Sequence, residues 1–236
     1  MNNVSLEAIE KTREEELKEF HLSSDDLNEA RSKIKIIDED ESNKLGKELF
    51  EMLTNKTVKY QDYNFDEVIE LIYKGANINY KDEEKENFPL LVCARKGFTK
   101  TAFALIRLGA DVNLVNNYLT TATMAAARHG NTRLLKILIL MGADVNAKCK
   151  DGDTALMSAI IHKQSDCAAM LINAQASLNQ KNLLNNTAID MDSKNILKQS
   201  ELKEDFNNQK NISVSHEDAL NLIDEAEKKF NKLKGN

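Results

Sequence analysis

The residues best suited to chemistry in this chain of 236 residues are its four histidines and three cysteines. His129 and His162 lie 33 residues apart, but a zinc site needs about four ligands. No carboxylate cluster accompanies Cys149, the cysteine between them. The chain also lacks a glycine-rich phosphate loop, a Gly-x-Ser-x-Gly turn and a His-Glu-x-x-His helix. We therefore expect no catalytic residues, no metal, no cofactor and no enzymatic activity.

Two short phrases recur through the middle of the chain with a period of 33 or 34 residues. The first, clearest as Gly-Ala-Asp-Val-Asn at 109–113, begins at residues 75, 109, 142 and, in a degraded form, 175. The second, clearest as Thr-Ala-Leu at 154–156, begins at residues 88, 121, 154 and 187. A period in this range indicates a stacked array of small units. Such an array provides a surface for binding rather than an active site.

Each unit contains two short helical patterns. In the third copy the spacing of apolar residues predicts helices over Thr121–His129 and Thr132–Leu140. Gly130 and Gly142 follow these helices, where a tight turn favours a residue that adopts positive φ without strain. Asn146–Asp153 is then predicted to run out and back as a turn. One unit has too little apolar surface to fold alone, so it must stack on its neighbours.

The combined pattern resembles the ankyrin repeat. It reads Asp-Gly-x-Thr-x-Leu, Ala-Ala-x-x-Gly and Leu-Leu-x-x-Gly-Ala-Asp-Val-Asn, and the match extends over about residues 66–190. The resemblance implies an all-α ankyrin-repeat solenoid of four to five helix-turn-helix/β-turn repeats with capping helices. It also implies that the first helices and the turns line a concave surface that binds other proteins.

Three departures from the family pattern carry structural expectations. Alanine replaces the usual proline at 122, 155 and 188, so those first helices lose a preformed first turn. Lys163 and Gln175 replace glycines, so we expect the fourth repeat to be less regular or less stable. One extra residue within Tyr80–Asn87 should lengthen that turn.

The resemblance assigns partner contacts to two sets of positions. On the concave surface, these are the pairs of residues before the inter-helix turn: Arg95, Lys96, Arg128, His129, Ile161 and His162. At the turn tips, they are Asn117, Tyr118, Thr120, Lys150, Asp151 and Asp153. Tyr118 and Arg128 are of the residue types most enriched at binding hot spots. Leu183 and Leu184 occupy the last tip, where they mark either a contact or, as we expect, burial under a C-terminal helix.

Charge is distributed unevenly along the chain. Residues 1–42 carry 13 acidic and 6 basic side chains, whereas residues 88–163 carry 10 basic and 4 acidic ones. A basic centre favours an acidic partner segment or one of the chain's own acidic ends, although charged residues are equally typical of a solvated surface. Nucleic acid is the competing ligand for this centre.

Composition also suggests a cellular location. Cys93 and Cys167 fall at core-facing positions of the repeat and Cys149 in a turn, and unpaired cysteines are typical of the cytoplasm. No apolar run approaches the length of about 18 residues needed to span a membrane. Met1 is followed by polar and acidic residues rather than by a secretory signal. We expect a cytoplasmic protein, or one delivered into a host cell if it is a bacterial effector.

The repeats divide the chain into three parts. These are an acidic helical N-terminal extension (1–41), the repeat domain (42–194) and a helical C-terminal extension (195–236). Helices are predicted at 5–20, 27–37, 195–206 and 215–233, and a loop at 55–63. Ser42 is predicted to cap the first helix of an irregular opening repeat. Terminal helices cap the ends of such arrays, and a partner-binding helix is the alternative role.

An apolar stripe runs along the ends of the second helices: Tyr73, Phe103, Leu108, Leu140 and Met141. Exposure of such a stripe to water would leave a large apolar patch. We expect that an extension helix, either Leu27–Ile37 or Leu220–Leu233, or a second chain covers it.

The sequence thus predicts a protein–protein interaction module that is not an enzyme. Alternatives that use the same surface are a host-directed bacterial effector and a regulatory subunit of an enzyme. The extensions are too short for an ordinary catalytic domain, and we expect a monomer.

Overall fold

The computed structural model describes residue 28 and residues 31–54 and 65–192. Within these ranges the chain forms nine complete helices, the end of an earlier helix at residues 31–32, and no β-strand. The helices are α1 Glu39–Thr54, α2 Phe65–Tyr73, α3 Pro89–Lys96, α4 Thr99–Arg107, α5 Ala122–Arg128, α6 Thr132–Leu140, α7 Ala155–Ile161, α8 Ser165–Asn173 and α9 Ala188–Met191. None of them is long and apolar enough to cross a bilayer. The extension helices predicted at 5–20, 195–206 and 215–233 and the loop predicted at 55–63 lie outside the described residues.

The helices stack as pairs in two layers. First helices contact one another along one layer (α1 with α3, α3 with α5, α5 with α7 and α7 with α9), and second helices contact one another along the other. The described residues therefore contain four helix pairs and the start of a fifth repeat. The all-α solenoid of four to five repeats predicted from the sequence is confirmed.

The difference between the two layers follows from side-chain size. All seven residues from Thr121 to Ala127 are buried, because α5 is enclosed by α3, α6 and α7. The small alanines of α5 allow this close approach. The second helix α6 supplies the volume of the core with Leu134, Leu135 and Leu138, each fully buried. The stack therefore has one continuous apolar core rather than separate repeat cores.

The cysteines follow the predicted pattern. Cys93 and Cys167 are fully buried, while Cys149 is partly buried, and all three are free thiols. Burial raises the pKa of Cys93, and it raises the pKa of Cys167 to about 12. Both buried thiols therefore stay protonated at neutral pH and pack as small apolar side chains.

Threonine caps compensate for the missing prolines. The Thr121 Oγ1 atom accepts a hydrogen bond from the Met124 N–H (3.1 Å), and Thr154 and Thr187 cap α7 and α9 in the same way. Only α3 begins with proline, and its N-cap Phe88 makes no side-chain cap. The first turn of α5, α7 and α9 is thus held by a hydrogen bond instead of a fixed φ angle.

Asparagine side chains tie successive repeats together. The last residue of the Gly-Ala-Asp-Val-Asn phrase accepts a hydrogen bond from a backbone N–H of the next repeat. The pairs are Asn79 with Asp111 (3.0 Å), Asn113 with Asp144 (2.8 Å) and Asn146 with Ser177 (2.7 Å). The repeating asparagine therefore fixes the spacing between repeats.

The fourth repeat is more regular than its missing glycines suggested. Lys163 and Gln175 adopt φ angles of 61° and 60°, the left-handed conformation that Gly130 and Gly142 take in the third repeat. The Gln164 and Ala176 N–H groups donate to the Ala159 and Leu171 carbonyls (both 2.8 Å), so both turns close as they do after glycine. The second helix α8 keeps the same nine-residue length as α4 and α6. The expectation that the fourth repeat is less regular is therefore wrong, while its lower stability stays a prediction. The strain remains, at about 1 kcal/mol for each residue.

The opening repeat begins earlier than predicted. The Asp38 carboxylate accepts from the Glu41 N–H (2.9 Å), so Asp38 caps α1 and the prediction for Ser42 is wrong. Ser42 lies inside the helix and its hydroxyl donates to the Gly75 carbonyl (2.7 Å). This bond joins α1 to the end of α2.

The segment before α1 lies against the ends of the second helices. Residues 35–38 are not helical, so the helix predicted to continue to Ile37 ends early. The Lys35 N–H donates to the Tyr73 carbonyl (2.8 Å), and the Arg31 side chain lies beside Gly109.

The apolar stripe is not left in water. Leu108 and Leu140 are buried, and its three other members are partly buried against the core. Residues 31–37 lie at the α2 and α4 end of the stripe, as expected. Leu220–Leu233 lies outside the described residues.

Candidate functional site

Two of the four turns between repeats are held by an asparagine side chain. The Asn116 Oδ1 atom accepts from the backbone N–H groups of Tyr118 (3.0 Å) and Thr120 (2.9 Å). Asn182 does the same in the last turn, with Leu184 and Asn186, both at 3.0 Å. Both asparagines are buried. The tips therefore project into solvent from a firmly anchored base.

The first of these turns is longer, as the extra residue predicted. The Asp82 carboxylate accepts from the N–H groups of Glu84, Lys85 and Asn87 at 2.7–3.0 Å. Partial burial would raise the pKa of Asp82, but these backbone hydrogen bonds outweigh it and lower that pKa. Asp82 therefore stays ionised.

Neighbouring tips are joined by backbone hydrogen bonds. The N–H of one tip donates to a carbonyl of the preceding tip. The pairs are Asn117 to Lys85 (3.1 Å), Lys150 to Tyr118 (2.9 Å) and Leu183 to Asp151 (2.9 Å). The four tips therefore form one continuous row along the edge of the stack.

The third turn lacks the anchoring side chain. Cys149 occupies the position of Asn116 and Asn182, and its backbone closes the same turn through the Asp153 carbonyl (3.0 Å). A thiol is a weak acceptor, so it cannot replace the two bonds that asparagine accepts.

We predict that Cys149→Asn stabilises the protein by about 1 kcal/mol, because the new amide can accept from the N–H groups of Asp151 and Asp153. Urea denaturation of wild type and of Cys149→Asn at equal protein concentration measures this change in stability. Cys149→Ala is the control, since it removes the thiol without adding an acceptor. Equal midpoints for the asparagine and alanine variants would contradict the prediction.

The surface of the first helices, which the family resemblance predicts to be concave, gathers basic side chains from three successive repeats. Arg95 lies on α3, Arg128 ends α5, and His129 and His162 follow α5 and α7. All four are exposed, as is Ile161. The Arg95 guanidinium donates to the Asn87 Oδ1 atom (3.0 Å), which fixes it beside the first turn. Lys96 is partly buried, with its ammonium 5.7 Å from the centre of the Phe98 ring.

A comparison with family models decides what this architecture is. A model for ankyrin repeats in three copies matches residues 57–149 and 90–182, which together cover more than half of the chain. The chain belongs to the ankyrin repeat family. Comparison with curated proteins gives no match. Ankyrin repeats are generally protein–protein interaction modules.

The cations on the ankyrin concave surface influence one another. Partial burial of its ring lowers the pKa of His129, and the positive charges of Arg128, His162 and Arg95 lower it further. Burial and the charge of Arg128 also lower the pKa of Arg95, against the opposing effect of Asp82. Residues about 33 positions apart in the sequence therefore share one positive field. Within the described residues, no three His, Cys, Asp or Glu side chains group as they would around a metal ion.

His129 should make folding stability depend on pH. Its pKa is lowered in the folded state, so stability is fully present above the ordinary value of about 6.5 and is lost as pH falls through the folded value. We predict that His129→Gln loses less stability than wild type between about pH 7.5 and about pH 5.5. Denaturation of wild type and of His129→Gln at both pH values measures this difference. Titration of the carboxylates affects both proteins equally and cancels in the comparison. Equal losses of stability in the two proteins would contradict the prediction.

The structure places the predicted contact residues on two adjoining surfaces. Tyr118 is 52% exposed and Ile161 is 48% exposed. Lys150 and Asp151 are exposed, whereas Asn117, Thr120 and Asp153 are partly buried in the bases of the tips. The side chains of the row therefore differ in how far they project into solvent.

Two expectations about the tips are wrong or incomplete. Leu183 and Leu184 are 77% and 78% exposed rather than buried, because Asn182 holds their turn out beyond the stack. Sequence reasoning also missed Leu119, which is 43% exposed. The sequence feature that could have identified Leu119 is its position in the turn, which is occupied by Gly152 in the next repeat.

Proposed function

We propose that this ankyrin repeat protein binds an acidic segment of another protein through its concave surface. The observation that carries the proposal is the alignment of Arg95, Arg128, His129 and His162 on three successive repeats, where their charges interact. An acidic segment laid along the surface would relieve this mutual repulsion. The same segment would reach the turn tips, where Tyr118 and Lys150 lie together.

Charge supports an acidic partner over a basic one. Residues 88–163 carry ten basic and four acidic side chains, although the whole chain has a net charge of −6. A local positive field steers an acidic partner to this region and disfavours basic proteins. Because hydrogen bonds join the tips and the repeats, the surface also loses little conformational entropy on binding.

The test compares proteins captured from a native lysate by wild type and by the double variant Arg95→Ala/Arg128→Ala. Proteins that bind the concave surface, identified by mass spectrometry, should be lost with the variant and should contain acidic segments. Arg133→Ala is the matched control, since Arg133 is an exposed arginine of the second-helix layer on α6. Retention of every captured protein by the double variant would overturn the proposal.

A nucleic acid ligand can be distinguished from a protein partner by its salt dependence. Binding of random duplex DNA through phosphate contacts weakens steeply as salt rises and shows little selectivity. A titration with such a duplex at two salt concentrations detects it. Tight, salt-sensitive duplex binding that depends on Arg95 and Arg128 would mean that the surface binds nucleic acid rather than a protein.

The biological role depends on the partner that is captured. An enzyme would make this protein a regulatory subunit, and a host protein would make it an effector. We propose a monomer in the cytoplasm, where the three free cysteines would remain reduced.

A further inference from the structure

The inter-helix turn of the fourth repeat carries a lysine where the two preceding repeats carry glycine. Gly97 and Gly130 have φ angles of 74° and 70°, and Lys163 takes the same left-handed conformation with a φ angle of 61°. Glycine adopts positive φ readily, whereas any larger residue is strained there because its Cβ atom crowds the following carbonyl. Lys163 therefore destabilises the fold at a position that glycine would fill without strain.

Packing does not offset this strain. The Lys163 side chain is exposed, and among the described residues its ammonium pairs with no carboxylate, including that of the nearby Asp166. The backbone alone closes the turn, since the Lys163 N–H donates to the Ile160 carbonyl (3.0 Å). Glycine would keep that bond. Strain held without packing is typical of residues that contact another molecule.

The turn is fixed against the preceding repeat. The Gln164 Nε2 atom donates to the Arg128 carbonyl (3.4 Å), and the Gln164 side chain occupies the space that a Cβ atom at Gly130 would take. Lys163 also directly follows His162, which is exposed on the concave surface. Its side chain therefore extends from a turn that is held next to the arginine of the third repeat.

Lys163 supplies a cation that the fourth repeat otherwise lacks. Arg95 and Arg128 each stand two residues before the inter-helix glycine, and Ile161, 48% exposed, stands at the equivalent position of the fourth repeat. A lysine is cationic at neutral pH, whereas a histidine is largely neutral. With Lys163, each of three successive repeats places a permanent positive charge on this surface.

We infer that Lys163 is a specificity-determining residue of the concave surface, where it binds a carboxylate of the acidic partner segment and extends the contact over three repeats. The inference rests on the proposed function, because it takes the acidic segment as the partner. It adds to that site a residue whose position in the repeat belongs to glycine. Since packed helices lie about 8–10 Å apart, two repeat spacings separate Arg95 from Lys163 by about 20 Å.

The test measures binding of a fluorescein-labelled glutamate peptide of about twelve residues, which is long enough to span this distance when extended. The affinity should fall about tenfold in Lys163→Ala and in Lys163→Gly, because each variant loses a hydrogen bond between charged groups. Lys163→Arg keeps the charge and should bind the peptide as wild type does.

Gln175→Gly is the matched control for the backbone. Gln175 also replaces a glycine of the repeat, with a φ angle of 60°, but it follows α8 in the second-helix layer. Lys163→Gly and Gln175→Gly should both unfold at a higher urea concentration than wild type, since each relieves a left-handed residue. Only Lys163→Gly should lose affinity for the peptide.

The outcomes separate a failure of Lys163 from a failure of the proposed function. Wild-type affinity in Lys163→Ala and Lys163→Gly, with affinity lost in Arg95→Ala/Arg128→Ala, would overturn the inference alone. Unfolding of Lys163→Gly at a lower urea concentration than wild type would also overturn it, because the side chain would then support the fold. Absence of peptide binding, or binding that does not depend on Arg95 and Arg128, would overturn the proposed function and the inference together.

Discussion

Replacing Tyr118 and Arg128 together by alanine is expected to weaken binding of the captured acidic partner by about 2 kcal/mol or more. Tyr118 lies at the tip beside Lys150, and Arg128 lies at the centre of the positive field between Arg95 and His162. A tyrosine and an arginine at the centre of an interface are the residues whose truncation costs most. Isothermal titration of each variant with the purified partner measures the change.

The fold should survive this double substitution. Both side chains are exposed, and the Arg128 carbonyl that accepts from the Gln164 side chain (3.4 Å) remains in the alanine variant. The far-UV spectrum should therefore match that of wild type. Arg133→Ala is the matched control and should bind normally. Unchanged affinity in the double variant would mean that the partner does not use this surface.

Gly152→Ala is expected to lower the free energy of unfolding by about 2 kcal/mol or more. Gly152 has a φ angle of 80°, and an added Cβ atom would lie 2.9 Å from the Asn182 Cα atom and from the Leu183 backbone nitrogen. These are backbone atoms of the next turn, so they can move only by shifting that turn. The variant should thus weaken the Leu183–Asp151 hydrogen bond as well as strain residue 152.

Gly130→Ala provides the control that isolates the close approach. Gly130 has a similar φ angle of 70°, but its added Cβ atom would meet the side chain of Gln164, which can turn away. It should therefore cost about 1 kcal/mol, the strain alone. Leu119, at the position equivalent to Gly152, shows that a side chain can adopt this turn conformation. Equal losses in the two alanine variants would contradict the role assigned to the neighbouring backbone.

The sequence by itself determined the local features of the stack. The 33-residue period, the apolar spacing in α6 and the glycines after the helices predicted two-helix units with nearly correct bounds. These features depend on each residue's own conformational preferences and on neighbours within one repeat. The burial of Cys93 and the longer turn at Asp82 followed for the same reason, because repeat position alone decides them.

Tertiary structure decided the features that depend on the adjacent repeat. Ser42 bonds to Gly75 rather than capping a helix, because α1 packs against that turn. Leu183 and Leu184 remain in solvent because their turn is held beyond the core. None of these outcomes is encoded in a local pattern.

The candidate site was also predicted in part from the sequence and decided in part by the tertiary structure. Family resemblance to the ankyrin repeat predicted which positions face outward, among them Arg95, Arg128 and His162. Only stacking brings cations from α3, α5 and α7 close enough to lower the pKa of His129 and of Arg95. Only stacking places the apolar tips in one row. Separation along the chain does not determine separation in space, since each repeat lies directly against the next one.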